Sequence, residues 1–201
     1  MRDFQIRQAL HANYLYHFIE DGESIVVDEL PVCAGRTIAD MAVVNGSLHA
    51  YEIKGTFDTL QRLEGQLFNY CKVFDYITVV TTENHLDGVM RLAAPNCGIW
   101  LMTENDGIII KTEIRKADRN LLVDSFSLAQ LLWKEEAINV LQKHGIAKGF
   151  KTKRKWLIWE KLSHSFSVEE LSCEIRKTLK SRTDWKLKSS KTIGVVDQTL
   201  W

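Results

Sequence analysis

An Asn45-Gly46 pair between two apolar, β-rich segments constrains the fold of this 201-residue chain more than any other feature. In that setting an Asn-Gly pair is the strongest short signal for a hairpin. We therefore predict strands over residues 37–44 and 48–53 that pair with each other. A single carboxylate, Asp40, interrupts the first segment, and burying it is costly unless it is paired or bound to a cation.

The second strand carries the charged partners that Asp40 needs. Because successive side chains of a strand alternate between its two faces, Glu52 and Lys54 project from the same face. The hairpin can bring Asp40 beside them, and two carboxylates with one lysine then form a site for a hard cation such as Mg²⁺ or Mn²⁺. The alternative is an ordinary Glu–Lys pair on a strand that faces solvent.

A site of this composition contains the groups that phosphodiester hydrolysis requires. A Mg²⁺ ion held by Asp40 and Glu52 would polarise a phosphoryl oxygen and lower the pKa of a bound water. Lys54 would orient that water and offset the developing negative charge. We accordingly expect Asp40→Ala or Lys54→Ala to abolish cleavage while leaving the fold intact.

Hydrophobic periodicity predicts a mixed α/β body over residues 1–120, followed by a helical region over residues 121–201. In a helix over 57–74, six apolar residues are expected to line the buried face: Phe57, Leu60, Leu63, Leu67, Cys71 and Phe74. The other predicted elements are helices over 4–19, 124–144, 154–163 and 167–181, and strands over 25–30, 76–80, 99–102 and 108–110.

The spacing between Asp40 and Glu52-Ile53-Lys54 resembles that of the PD-(D/E)XK, or restriction-endonuclease-like, nuclease superfamily. The α-β-β-β-α-β core of that superfamily matches the order predicted over residues 4–80, although Ile38-Ala39 replaces the proline of the motif. Gln66 and Tyr70 on the next helix match the QxxxY element of the RecB-like branch. The resemblance implies an α/β fold with a mixed central sheet, followed by a small helical C-terminal subdomain.

The resemblance also implies roles for individual residues. Gln66 and Tyr70 would face the active site, and the backbone carbonyl of Ile53 would join the two carboxylates as a metal ligand. These folds often contain an additional acid. Glu29, at the end of the first strand, is our preferred candidate, and Glu20 at the end of the first helix is the competitor.

Most of the chain also resembles a poorly characterised bacterial and phage-borne family of restriction-endonuclease-like proteins. The matching segments are 27–30, 36–40, 51–54, 131–136 and 179–182, together with Trp185. This second resemblance implies a link to phages or other mobile elements, and to defence, but no known substrate.

Charge is distributed unevenly along the chain. Residues 1–150 contain 14 basic and 20 acidic residues, whereas residues 151–201 contain 12 and 6. We predict phosphate contacts from five residues: Arg62, Lys151, Lys153, Arg154 and Lys155. The lysines that follow Trp185, namely Lys186, Lys188 and Lys191, could extend this surface. The alternative for these charges is a solvated helical surface. We expect Trp156, Trp159 and Leu162 to pack in the core of the helical region.

From its composition we expect a cytoplasmic protein that does not interact with membranes. The chain contains no apolar run of about 18 residues, begins without a signal-like segment, and has four widely spaced cysteines without a CxxC pair. We expect a metal-dependent endonuclease that acts on DNA, as a homodimer or with a partner encoded by a neighbouring gene. An effector that cleaves RNA or tRNA, and a non-catalytic module that binds nucleic acid or protein, remain the alternatives.

Overall fold

A mixed sheet forms the centre of the fold in the computed structural model, which describes residues 1–20 and 22–182. Six strands are present in this part of the chain and are adjacent in sequence order: β1 (Ile25–Val32), β2 (Thr37–Val44), β3 (Leu48–Lys54), β4 (Tyr76–Thr81), β5 (Gly98–Asn105) and β6 (Ile108–Arg115). β3, β4 and β5 are parallel to one another, and the remaining neighbours pair antiparallel. The expected α/β class and mixed sheet are therefore confirmed.

Helices precede, connect and follow the strands. Those in the described residues are α1 (Asp3–Ala9), α2 (Tyr16–Glu20), α3 (Leu63–Tyr70), α4 (Glu83–Leu92), α5 (Ser125–Ala129), α6 (Lys134–Lys143), α7 (Lys155–Ser165) and α8 (Val168–Ser181). A π-helical turn over Leu10–Tyr14 separates α1 from α2, and a short 3₁₀ turn over Cys33–Gly35 joins β1 to β2. None of these helices is both long enough and apolar enough to cross a lipid bilayer.

The sheet separates two apolar cores. The larger core lies beneath α3 to α8 and contains buried residues such as Tyr70 and Leu171. The smaller core lies beneath the N-terminal helices and contains Met41 and Ile53. Since Ala50 belongs to the larger core and side chains alternate along β3, Glu52 and Lys54 point into the larger core, towards α3.

The hairpin between β2 and β3 is confirmed. Its register pairs Val44 with Leu48 across the turn and continues as far as the pair formed by Met41 and Tyr51. β1 forms one edge of the sheet, as expected from Pro31, which lacks an N–H donor for a further strand. Glu29, two residues earlier, has a φ of 55° and is missing from the otherwise continuous pairing of β1 with β2.

The helix predicted over 57–74 is much shorter in the structure. α3 spans only Leu63–Tyr70, and Phe57 is 77% exposed instead of facing the core. The residues before α3 form a loop in which the Asp58 carboxylate accepts a hydrogen bond from the Gly55 N–H at 2.7 Å. This local bond gives the backbone an alternative to the helix that apolar spacing alone indicated.

Other boundaries also differ from the predictions. The helix predicted over 4–19 is interrupted by the π-helical turn, and the one predicted over 124–144 is divided into α5 and α6. α4 was not predicted, since strands were expected after β4; it is a short crossover between the parallel strands β4 and β5. Parallel strands require such a connection, and hydrophobic patterning does not reveal parallel pairing.

The C-terminal helices pack onto the core of the sheet. Leu128 and Leu162 belong to the same apolar cluster as the strand residues, and the Trp159 indole N–H donates to the Leu132 carbonyl at 3.1 Å. Trp156 was also expected in that core, but it is half exposed. The Arg182 guanidinium binds the Glu136 carboxylate at 2.6 and 2.7 Å and thereby ties the end of α8 to α6. The division of the chain at residue 120 stays a prediction.

Candidate functional site

A buried carboxylate, Glu52, is the centre of the candidate site. Its Oε1 atom accepts hydrogen bonds from the Lys54 ammonium group at 2.6 Å and from the Gln66 amide, and its Oε2 atom lies 2.5 Å from the Tyr70 hydroxyl. Lys54 also donates to the Gln66 carbonyl oxygen at 3.0 Å. The structure therefore brings together four of the predicted site residues, two from β3 and two from one face of α3.

The placement of these four residues follows from local periodicity. Glu52 and Lys54 are two positions apart on a strand, and Gln66 and Tyr70 are four positions apart on a helix, so each pair occupies one face. α3 packs over that face of the sheet, which brings the two pairs into contact. The side chains of Glu52 and Lys54 are 1% and 7% exposed, so the network is almost closed to solvent.

Asp40 lies at the point where β2 and β3 separate. From the hairpin turn, the pairing of these strands extends only as far as Met41 and Tyr51. It stops before it reaches Asp40, which leaves the N–H of Ile53 without a β2 partner. The Asp40 Oδ2 atom accepts that N–H at 2.7 Å, in place of a backbone carbonyl. The Asp40 side chain is 25% exposed and forms the accessible end of the cluster, whereas Glu52 forms its buried end.

Burial and like charge affect the ionisation of this cluster. Loss of solvent, and then the negative charge of Glu52, raise the pKa of Asp40 to about 7, although its bond from Ile53 and the nearby Arg7 act in the opposite direction. Burial and the Glu52 carboxylate also raise the pKa of Tyr70 well above its ordinary value. Tyr70 is therefore a hydrogen-bond donor to Glu52 at neutral pH.

Arg7 and Asp28 lie beside the site, and sequence reasoning missed both. The Arg7 guanidinium donates a hydrogen bond to the Asp40 backbone carbonyl and lies 3.7 Å from Asp40 Oδ1 and 3.5 Å from Asp28 Oδ1. His11 Nε2 lies 3.0 Å from the carboxylate of Asp28 on its other side. The sequence contains one local signal for this arrangement, the i, i+4 pair of Asp3 and Arg7 on α1.

The structure does not bring either predicted additional acid into the cluster. Glu29 is exposed, and the positive φ at this position ends the regular alternation of β1. Asp28, the residue before it, contacts Arg7 instead. Glu20 is also exposed, and its carboxylate accepts a hydrogen bond from the Tyr16 hydroxyl at 2.6 Å. The preference for Glu29 was based on strand position alone, and a single left-handed residue is enough to reverse the face of a side chain.

The predicted phosphate-contacting residues are all exposed. Arg62 immediately precedes α3, and Lys151, Lys153, Arg154 and Lys155 lie before and within the first turn of α7. The Lys155 ammonium group lies 4.5 Å from the centre of the Trp159 ring. Trp185, Lys186, Lys188 and Lys191 fall outside the described residues.

The donor set of the cluster is compatible with Mg²⁺. Within residues 1–20 and 22–182, no group of three or more His, Cys, Asp and Glu side chains is close enough together to hold a metal ion. Mg²⁺, however, is commonly bound by one or two carboxylates with water and phosphate oxygens completing its shell. Among the residues that the structure describes, Glu52 Oε2 accepts one hydrogen bond and Asp40 Oδ1 none, so each retains a lone pair for a cation.

Comparison with known proteins places the chain in a phage family. Residues 5–195 match the family model described as bacteriophage P4 protein cII. The chain belongs to this family. Protein cII of Enterobacteria phage P4 is 26% identical over 182 residues, which cover 90% of this chain and 68% of the relative. The expected link to phages is therefore confirmed.

A solved structure shows a weaker likeness to this member of the phage P4 cII family. It is a protein of unknown function from Silicibacter pomeroyi, 13% identical, that covers 68% of this chain and 90% of its own. The TM-score of 0.38 is too low to establish a shared fold. The names of the phage relative and of the Silicibacter pomeroyi protein state no biochemical activity.

Proposed function

We propose that this member of the phage P4 cII family is a metal-dependent nuclease that hydrolyses phosphodiester bonds in DNA. One observation carries the proposal: the buried Glu52, bound by Lys54, Gln66 and Tyr70, lies beside a second carboxylate, Asp40, at the opening between β2 and β3. Burying two carboxylates close together is costly. A divalent cation bound by both carboxylates would offset that cost, and its charge would then attract a phosphate.

We assign the residues of the cluster either to metal binding or to the positioning of the metal ligands. Asp40 and Glu52, with the Ile53 carbonyl, would hold Mg²⁺ or Mn²⁺, and the ion would supply Lewis-acid activation of the phosphate and of a water molecule. Gln66 and Tyr70 position the Glu52 carboxylate by donating to both of its oxygens. Arg7 holds the backbone at Asp40 from the opposite side of the sheet.

Lys54 has one donor left for the reaction. Of its three ammonium protons, two are engaged by Glu52 and Gln66 within the described residues. The third can donate to an attacking water or to a phosphate oxygen, which orients the nucleophile and stabilises negative charge as it develops. The exposed basic residues before and in α7 would contact the phosphate backbone, independently of sequence.

Cleavage by the purified full-length protein tests the proposal. Supercoiled plasmid, linear duplex DNA, single-stranded DNA and RNA are incubated with Mg²⁺, with Mn²⁺ and with EDTA. Asp40→Asn is the main variant, because it removes a charge but keeps an acceptor for Ile53. Asp28→Asn is its matched control, since the two aspartate side chains are 25% and 23% exposed and both contact Arg7.

We expect metal-dependent cleavage by the wild type and by Asp28→Asn, and a loss of about a hundredfold or more in Asp40→Asn. Undiminished cleavage by Asp40→Asn would contradict the proposal, as would the absence of cleavage on all four substrates with either ion. Binding of nucleic acid without cleavage would favour the non-catalytic module. Cleavage of RNA alone would support metal-dependent phosphodiester hydrolysis but would identify RNA, and not DNA, as the substrate.

A further inference from the structure

A cavity of about 350 Å³ opens beside the loop that follows β3. Four residues line it: Arg2, Asp3, Phe57 and Asp58. Phe57 belongs to its rim and is the large hydrophobic side chain that sequence periodicity placed in the core, yet it is 77% exposed. An aromatic ring left in solvent at the mouth of a cavity is an available surface for a ligand.

The loop that carries Phe57 is held in place by backbone contacts. The Gly55 N–H donates to the Asp58 carboxylate, the Thr56 N–H donates to the Met1 carbonyl at 2.9 Å, and the Asn84 amide donates to the Thr56 carbonyl at 2.9 Å. A Cβ at Gly55 would lie 3.0 Å from the Asp3 nitrogen, so glycine permits the close approach of the two segments. The exposure of Phe57 is therefore a property of a packed loop.

Two connections link the lining of the cavity to the candidate site. Phe57 follows Lys54 by three residues, and Asp3, another lining residue, lies 3.5 Å from the Arg7 guanidinium. Arg7 in turn lies 3.7 Å from Asp40 Oδ1. One side chain, Arg7, therefore separates the lining of the cavity from the accessible end of the carboxylate cluster.

The lining of the cavity suits a nucleobase better than a phosphate. Two carboxylates, Asp3 and Asp58, would repel a phosphate but can accept hydrogen bonds from the amino and imino groups of a base. The Phe57 ring offers a face for stacking, and the Arg2 guanidinium lies 6.0 Å from its centre. Base–aromatic stacking next to a cation is the usual way in which proteins hold single strands.

We propose that this cavity binds one unpaired nucleobase of the substrate, stacked on Phe57, next to the phosphate that enters the Asp40–Glu52 site. This inference rests on the proposed nuclease function and adds the class of substrate: a single strand, or a duplex with a frayed or flipped nucleotide. In an intact duplex both faces of each base are covered by its neighbours, so Phe57 could not stack.

The test measures binding without cleavage. A fluorescein-labelled 12-nucleotide single strand, and a duplex of the same sequence, are titrated in EDTA with the full-length protein and three variants. Phe57→Ala removes the stacking face, and Phe57→Trp restores a larger one. Phe68→Ala is the matched control, because Phe68 is also exposed, at 64%, and lies under the Lys72 ammonium group but outside the cavity.

We expect Phe57→Ala to weaken binding of the single strand between about fivefold and about a hundredfold, the range for losing one base–aromatic stack. Phe57→Trp and Phe68→Ala should bind within about twofold of the wild type. Equal losses in Phe57→Ala and Phe68→Ala, equal losses on single strand and duplex, or no binding of the single strand by the wild type would each overturn the inference. Phe57-dependent binding without metal-dependent cleavage would leave it standing and refute the nuclease proposal alone.

Discussion

The Tyr70 hydroxyl lies 2.5 Å from Oε2 of Glu52, although the two residues are 18 positions apart and belong to a helix and a strand. The same hydroxyl lies 2.8 Å from the Ile38 carbonyl, two residues before Asp40. Tyr70 therefore connects α3 with both strands that carry the carboxylates. Tyr70 thus holds β2 and β3 together on the face of the sheet covered by α3, and Arg7 contacts Asp40 of β2 from the opposite face.

Loss of Lys54 is expected to destabilise the protein as well as to impair cleavage. Lys54 and Glu52 are both buried, so removing the ammonium group leaves a buried carboxylate without its counter-charge. We predict that Lys54→Met lowers the free energy of unfolding by about 3–5 kcal/mol, measured by urea denaturation.

A double variant distinguishes the cost of an isolated buried charge from the cost of lost packing. In Glu52→Gln/Lys54→Met no charge remains buried at this point, while the Gln side chain can still accept from Tyr70. We expect the double variant to regain at least half of the stability that Lys54→Met loses, because the penalty belongs to the isolated charge. Losses that simply add would show that packing, not charge, explains the effect.

The stability of the metal-free protein should depend on pH through Asp40. Its pKa is about 7 in the folded protein and 3.8 ordinarily, so the folded state binds the proton more tightly between these values. The stability that this proton contributes is present below about pH 4 and is lost as the pH rises through 7. We predict that Asp40→Asn raises stability at pH 8 by on the order of 2–4 kcal/mol, with a smaller gain at pH 5.

Thermal unfolding in EDTA at the two pH values measures this gain. Asp28→Asn is the control, and it should lose stability, because Asp28 pairs with both Arg7 and His11. A melting temperature of Asp40→Asn at or below that of the wild type at pH 8 would show that Arg7 and Ile53 already compensate the Asp40 charge.

Glu29 tests whether the site needs a third acid from β1. A non-glycine residue in the left-handed region costs about 1 kcal/mol, so Glu29→Gly is expected to stabilise the fold by about that amount. Glu29→Ala removes the carboxylate but keeps the backbone conformation, and it should be nearly neutral. Both variants should cleave like the wild type. Loss of metal-dependent cleavage in both would restore Glu29 as the additional acid.

Two glycines with different surroundings test the packing of the loop after β3. Gly55→Ala would place a Cβ 3.0 Å from the Asp3 nitrogen and 3.1 Å from the Met1 carbonyl oxygen, and backbone atoms there cannot rotate away. We expect it to cost about 1–3 kcal/mol in urea denaturation. Gly65→Ala, in α3 with open space around the new methyl group, should instead stabilise by about 0.5–1 kcal/mol. Similar effects of the two changes would argue against tight packing at Gly55.

Local periodicity and turn chemistry were enough to predict several parts of the fold and of the candidate site. Asn45-Gly46 indicated the hairpin, strand alternation placed Glu52 and Lys54 on one face, and helical spacing placed Gln66 and Tyr70 on another. These relationships extend over two to four residues. These face relationships held because tertiary packing shortened the predicted helix over 57–74 without changing the residue periodicity of a helix or a strand.

Contacts between distant parts of the chain determine which acidic side chains come together and which side chains remain exposed. A left-handed backbone angle at Glu29 leaves Asp28, and not Glu29, in contact with Arg7. Asp40 contacts Arg7, which lies on a helix that covers the other face of the sheet. The exposure of Phe57 depends on a loop held by residues far away in sequence. Such contacts depend on chain segments that meet only after folding, and no local pattern encodes them.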